Sequence, residues 1–410
     1  MKKIFASLAA LAWTLSLSAQ TSSAPTSAQT SAKQSAQTSA SKSGQPAAKR
    51  SGQTSAKKSG QTPAPATQTP AAPAPAAQPF PLMTQLPTGA TQLEPNAGST
   101  SFTFVVAGDN RPAHSGDPLT KAMLDMVTRL SANPPDFVVW NGDTVFGKQE
   151  VGITEQYSQF LSALKPLAVP VFNAPGNHEM LVQTLVACGT ASDPWNAELP
   201  DFSGSMMADY ETSMAPLYGM FRYGNAAFVI INTDDVLDVT LANACVYNGY
   251  VGKAQLSSLQ ATLNQLSSDS AVTHIFCFMH RPIKDKGGSQ IGAPKGDTSD
   301  YGTQVEAFRQ LLDQGKYPKI TFVFASHDHL LYVDPAPSNP TGPFTGSSPD
   351  KGKPVFIVTG GAGAPLSGCK NGKGGKPGAF FHYLTVTVNG SSVTVNVVPL
   401  YGTTLCGSGT

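Results

Sequence analysis

The hydrophobic positions of this chain fall into short, unbroken runs. Residues 102–107 (FTFVVA), 136–140 (DFVVW), 169–173 (VPVFN), 226–232 (AAFVIIN), 274–279 (HIFCFM), 320–325 (ITFVFA) and 354–359 (PVFIVT) are rich in β-branched and aromatic side chains. Such runs predict strands buried on both faces. Between them, apolar residues recur at helical spacing. Leu119, Met123, Met126, Val127 and Leu130 share one side of a helix predicted over 117–130, with Asp117-Pro118 as its start. Leu256, Leu259, Leu263 and Leu266 predict a second helix over 253–266. Val305, Phe308, Leu311 and Leu312 predict a third over 303–314, stopped by Gly315. Near the C-terminus the period shortens to two, and the alternating segments around Asn389-Gly390 predict a β-hairpin. Together these patterns predict a layered α/β fold, sheets inside and helices outside, as one large domain over residues 96–410.

The preceding residues read differently. Residues 1–19 combine a basic start (Lys2, Lys3) with an apolar run, the pattern of a secretory signal peptide, and so predict a secreted protein, periplasmic or extracellular. Residues 20–95 hold an octapeptide recurring from 27 to 66 (SAQTSAKQ, SAQTSASK, SGQPAAKR, SGQTSAKK, SGQTPAPA) and then a Pro/Ala stretch. Few large apolar side chains offset the entropy of ordering such a segment, which reads as a disordered linker. The alternative is attachment to a cell surface or wall through Lys33, Lys42, Lys49, Arg50, Lys57 and Lys58. The first 93 residues carry eight of the 27 Lys/Arg and none of the 26 Asp/Glu, so the rest is acidic. That balance argues against a nucleic-acid-binding surface. Cys277 lies in a strand and reads as a buried thiol, whereas Cys188, Cys245, Cys369 and Cys406 lie in loop-like surroundings and allow two disulfides in three pairings.

Candidate chemistry sits where the predicted strands end. The first ends in Gly-Asp109, the second in Gly-Asp143, the third in Gly-Asn177-His178-Glu179, a later one in His280, and another in His327-Asp328-His329. In an extended segment residues i and i+2 point the same way, so His327 and His329 aim at one place. Each cluster alone reads as a turn closing a core strand. Five of them, in order and each at a strand end, point to one crevice beyond the carboxyl ends of the sheets. Carboxylates, an amide oxygen and imidazoles suit Zn, Mn, Fe or Co better than Ca or Mg. Two ions need a shared anion, which an aspartate supplies.

These motifs resemble those of the calcineurin-like metallophosphoesterases, including the purple acid phosphatase branch. The matching segments are GDNR (108–111), GDTVF (142–146), GNHE (176–179), CFMH (277–280) and SHDH (326–329), and YGMFRYGNAAFVIINTD (218–234) and VTGGAG (358–363) are also similar to family segments. The resemblance implies an α/β/β/α sandwich with mixed sheets and two transition-metal ions. It implies one ion on Asp109, Asp143 and His329, another on Asp143, Asn177, His280 and His327, and His178 as proton donor to the leaving group. The implied activity is hydrolysis of a small phosphorylated substrate by a metal-held hydroxide. The alternatives are a phosphodiesterase or nucleotidase with the same site, or a non-catalytic member that binds a phosphorylated ligand. This chain departs from the family at Arg111, where many members have a histidine ligand, at Phe146, where the purple branch has its tyrosine, and at Ser326, where others have glycine. Arg111 suits a phosphate oxygen, the alternative being an ion pair with a neighbouring carboxylate. His114 reads as an ordinary loop residue, and His274 and His382 as strand residues. The run CKNGKGGKPG (369–378) reads as a mobile surface loop, because it lacks phosphate-loop spacing.

Overall fold

A computed structural model describes residues 77–406, except 97, 148–151, 191–192, 202, 236–246, 286–288, 294, 340 and 348–352. The signal segment, the octapeptide repeat and Cys245 lie outside the described residues, as does the side chain of Cys188. The chain runs through β1 (Ser101–Ala107), α1 (Lys121–Ala132), β2 (Phe137–Asn141), α2 (Ile153–Leu164), β3 (Val171–Ala174) and the short α3 (Asn177–Met180). There follow the pair β4 (Leu181–Thr190) and β5 (Asp193–Pro200), α4 (Ser205–Ser213), β6 (Gly219–Tyr223), β7 (Ala226–Ile230), α5 (Lys253–Ser268), β8 (His274–Phe278), α6 (Asp300–Asp313) and β9 (Ile320–Ala325). The last part holds β10 (Leu331–Asp334), β11 (Phe344–Ser347), β12 (Val355–Thr359), the small hairpin β13 (Cys369–Lys370) and β14 (Lys373–Gly374), then β15 (His382–Asn389) and β16 (Ser392–Pro399).

Two six-stranded mixed sheets form the centre, in the orders β11-β16-β15-β1-β2-β3 and β10-β12-β9-β8-β7-β6. Strand alternation fixes what each face meets. In the second sheet Phe228, Ile230, Phe276, Phe278, Phe322 and Phe324 point inward to the first sheet. Ala227, Val229, Ile275, Cys277 and Val323 point the other way, onto Leu259 and Leu263 of α5 and Val305 and Phe308 of α6. Phenylalanines join the two sheets edge to face, as in Phe104–Phe228 at 5.2 Å and Phe137–Phe228 at 5.0 Å between ring centres. Met123, Met126, Val127 and Leu130 of α1 and Tyr157 and Phe160 of α2 bury against the first sheet. The result is the α/β/β/α layering, with β1, β2 and β3 parallel in one sheet and β7, β8, β9 and β12 parallel in the other.

Three boundaries differ from the sequence expectations. The linker does not run to residue 95. Phe80, Met83 and Leu86 are buried, and Met83 N–H and Leu86 N–H donate to Met220 O (2.9 Å) and Val171 O (2.7 Å). Those few large apolar residues, set among Pro, Ala and Gln, are enough to dock the segment on the sheets. Helix α1 begins at Lys121 rather than 117, because Thr120 caps it by accepting from Met123 N–H. Asp117 instead accepts from His114 N–H at 3.1 Å, closing the preceding turn. In the C-terminal hairpin Asn389 pairs with Ser392, so the turn is Gly390-Ser391, with Gly390 at φ +63°. Cys369 and Cys406 form a disulfide and Cys277 is a buried free thiol. That disulfide ties the 369–378 run, which carries the β13–β14 hairpin, to the C-terminal segment.

Candidate metal centre

The strand ends named by the sequence meet at one edge of the sandwich. Their turns are tight. Asp109, Asp143 and His327 have φ of +58°, +51° and +72°, a region non-glycine residues rarely occupy, and such strain concentrates at functional sites. Glycine is needed here for room as well as for torsion. A Cβ on Gly142 would lie 2.6 Å from Gly176 N and 2.9 Å from His280 Nδ1, and one on Gly176 would lie 2.5 Å from Asp143 Oδ1. Ser326 takes the place of a glycine without strain, donating to Thr359 O at 3.0 Å.

One group of ligand atoms surrounds Asp143 Oδ1. His280 Nε2 lies 3.2 Å from that oxygen and 2.9 Å from Asn177 Oδ1. His280 Nδ1–H donates to Asn141 O at 2.8 Å, so Nε2 is the nitrogen turned toward the other ligand atoms. His327 Nδ1 is 3.0 Å from Asn177 Oδ1 and 3.2 Å from His280 Nε2. His280 Nε2, Asn177 Oδ1 and Asp143 Oδ1 are packed so closely that, as acceptors, they repel one another unless positive charge joins them, whereas a neutral His327 whose Nε2 meets Arg281 Nη1 carries its hydrogen on Nδ1. The second group is Asp109, Asp143 and His329. His329 Nδ1–H donates to Pro365 O at 2.6 Å, which turns Nε2 to within 3.6 Å of Asp109 Oδ1. That oxygen is buried and has no hydrogen-bond donor. Both groups share Asp143 and both leave acceptor atoms short of positive charge, which is what a pair of cations requires.

The shifts in protonation reflect the same crowding and burial. Burial, with the neighbouring Asp143, pushes Asp109 well above the usual carboxylate range. Burial acts against Asp143 too, but His178, His280, Arg111 and His327 overcome it and hold that carboxyl well below its usual range. Burial also pushes His329 down to about 4, with Arg111 adding to the effect, and leaves His327 well below its usual value. Both rings are thus neutral at neutral pH, the form that binds metal.

His178 stands at the rim of this cluster. Its Nδ1 bonds Phe146 O, the Phe146 ring edge lies against it, and its Nε2 is 3.7 Å from Asp143 Oδ2. Arg111 approaches from the Asp109 side, with Nε 3.5 Å from the same Asp143 Oδ2 and Nη1 on Pro112 O at 3.1 Å. Its N–H donates to Asp143 O. His114 is exposed and pairs with Asp117, away from both groups. His274 bonds Thr321 Oγ1 and Gly390 O, and His382 is fully buried with Nδ1 on Phe380 O, so both belong to the frame.

Two contributors had no role in the sequence reading. Glu179 is fully buried and accepts from Gly176 N, Asp143 N, Thr144 N and Thr144 Oγ1 at 2.8, 3.1, 2.6 and 2.7 Å. It braces the two ligand turns against each other. The signal was its place three residues after Gly176, a helix-capping position. Arg281 is buried, bonded to Asp234 Oδ1 at 2.8 Å, with Nη1 3.0 Å from His327 Nε2.

A sequence model described as calcineurin-like phosphoesterase matches residues 102–340. No curated protein matches the chain. Among solved structures, the purple acid phosphatase from yellow lupin (Lupinus luteus) seeds is similar at 17% identity and TM-score 0.49, covering 76% of this chain. The chain spans about half of that protein, 53% of its length. A dimetal phosphatase from Danio rerio is similar at 13% identity and TM-score 0.44, over 73% of this chain and 100% of the other. A Plasmodium protein titled as the anchor in the inner membrane complex is similar at 12% identity and TM-score 0.39, over 75% and 87%.

Proposed function

Because this chain belongs to the calcineurin-like phosphoesterase family, whose members are metal-dependent phosphoester hydrolases, we propose that it is a secreted hydrolase of small phosphate esters working with two ions of Fe, Mn, Zn or Co. The observation that carries the reading is the position of Asp143, common to both ligand groups and fully surrounded by them. Asp109, Asp143 and His329 would hold the first ion, and Asp143, Asn177, His280 and His327 the second. When bound, the ions supply Lewis acidity toward the phosphoryl oxygens.

The protein's own groups do the rest. His178, its ring fixed by Phe146 O, presents Nε2 to the cleft and gives a proton to the leaving oxygen. Glu179 keeps the Asp143 and Asn177 turns in register, so neither ligand moves when charge builds up. Arg111 brings a planar cation to the same cleft, suited to a phosphate oxygen. Secretion is supported by the pattern of residues 1–19 and by the Cys369–Cys406 bridge, which belongs to an oxidising compartment.

Metal analysis of the purified chain, with phosphomonoesters and phosphodiesters assayed on the same sample, tests this. Two transition-metal ions per chain and monoester turnover that chelation abolishes are expected. Turnover that survives full removal of metal would overturn the reading, and turnover of diesters alone would move it to a phosphodiesterase.

A further inference from the structure

A guanidinium stands beside each ligand group, but Arg281, next to His327, is paired with Asp234 Oδ1 at 2.8 Å, whereas Arg111 turns to the shared carboxylate itself. Asp143 Oδ1 faces His280, whereas Asp143 Oδ2 faces Arg111 Nε at 3.5 Å. Arg111 is held there from both ends. Its backbone N–H donates to Asp143 O at 3.0 Å, and Asn110 N–H donates to the same oxygen at 3.2 Å. Pro112 follows and restricts the torsions of Arg111, while its carbonyl accepts from Nη1. The side chain is only 15% exposed, and Nε is buried with no hydrogen-bond partner. On the other side of the first group, Asp109 Oδ1 is likewise buried and lacks a donor. A permanent cation therefore stands beside the oxygens a first-group ion would use. At such short range in a partly desolvated cleft, a guanidinium and a divalent ion repel each other strongly.

We propose that Arg111 is a resident competitor for the first metal ion, so that the chain takes up its two ions in sequence, first tightly on Asn177, His280 and His327, then weakly on Asp109 and His329. This rests on the dinuclear reading above and adds an order and a cause to it. The ion that binds second must push the guanidinium off Asp143. A guanidinium so displaced is freed to meet an anionic substrate.

Isothermal titration of the metal-free full chain with Mn²⁺ or Zn²⁺ tests the inference without reference to turnover. The parent should show two binding events separated by at least about tenfold in affinity. Arg111→Gln, which keeps the length and polarity but removes the charge, should tighten the weaker event by about tenfold or more and leave the tighter one within a few-fold. Arg111→Lys keeps the charge and should keep the separation. It also serves if Arg111→Gln misfolds, because a lysine variant binding both ions equally tightly would contradict the charge argument. Two equally tight ions in the parent, or a weaker constant unchanged in Arg111→Gln, would overturn the inference and leave the dinuclear reading standing. Uptake of no ion by the folded parent would overturn both.

Discussion

The two halves of the centre are built from different material. Asn177 and His280 follow the ends of β3 and β8, and both are almost wholly buried. Their supports are buried as well: the Asn141 carbonyl behind His280, and Glu179 beneath the turns of Asp143 and Asn177. In the other half Asp109 is just as buried, past the end of β1, but His329 leans on a loop. Gly360 packs so closely on Asp109 that a Cβ there would lie 2.5 Å from Asp109 Oδ2. His329 is oriented by Pro365 O, and His329 O accepts from Ser367 N–H at 3.0 Å. That loop is in turn tied down by Cys369–Cys406. The contrast teaches that Asn177 and His280 are braced by buried groups of the core, whereas His329 is placed by a loop in the half that lies beside a fixed positive charge. The halves should therefore respond differently to perturbation, except where they meet.

They meet at Asp143, which gives the largest expected effect. Asp143→Asn removes the anion common to both groups and should abolish hydrolysis and lower bound metal, read by activity and elemental analysis. Near-normal turnover with two ions bound would break the picture of a shared carboxylate. His178 lies outside both groups. His178→Ala should retain metal and slow hydrolysis by roughly 10²–10⁴-fold, less for esters whose leaving groups need no proton. An equal loss across leaving groups would assign His178 to positioning rather than proton transfer.

How much of this was legible in the sequence follows from where each residue acts. That Asp109, Asp143, Asn177, His178, His280, His327 and His329 come together was legible because each lies just past a strand, and strand ends in a layered sheet converge. The layers were legible because both sheets are buried and so carry continuous apolar runs. Arg281 was not, since it works on residues far along the chain, and Glu179, which works on backbone N–H groups, left only its capping position after Gly176 as a signal. The docking of Phe80, Met83 and Leu86 was hidden by their low-complexity neighbours. The start of α1 was misplaced because Asp117-Pro118 has the form of a cap, while Thr120 makes the capping bond.

Glu179→Gln probes the core-built half. An amide offers one acceptor oxygen where the carboxylate offered two, and its NH₂ would face N–H donors of Asp143 and Gly176. Leaving two buried donors unsatisfied should cost about 2–5 kcal/mol of stability, measured by chemical denaturation. The tighter metal event should weaken with it. A variant with parental stability and metal affinity would show that the turns keep their register without the carboxylate.

The smallest expected effect falls on the half that holds His329. Replacing both bridged cysteines, Cys369→Ser with Cys406→Ser, frees the segment whose Pro365 carbonyl orients His329. The segment keeps local bonds, Cys369 N–H to Leu366 O at 3.1 Å and Lys376 N–H to Ser367 O at 2.9 Å, so it should loosen rather than detach. Two six-stranded sheets carry the fold without this crosslink, and the stability lost should be no more than the roughly 2–4 kcal/mol typical of a disulfide. The weaker metal event should therefore weaken a further few-fold, with the tighter event and kcat at saturating metal unchanged. If the tighter event shifts instead, the two halves are mechanically one unit. If neither event shifts, the loop's own hydrogen bonds hold His329, and the disulfide serves only the C-terminal segment.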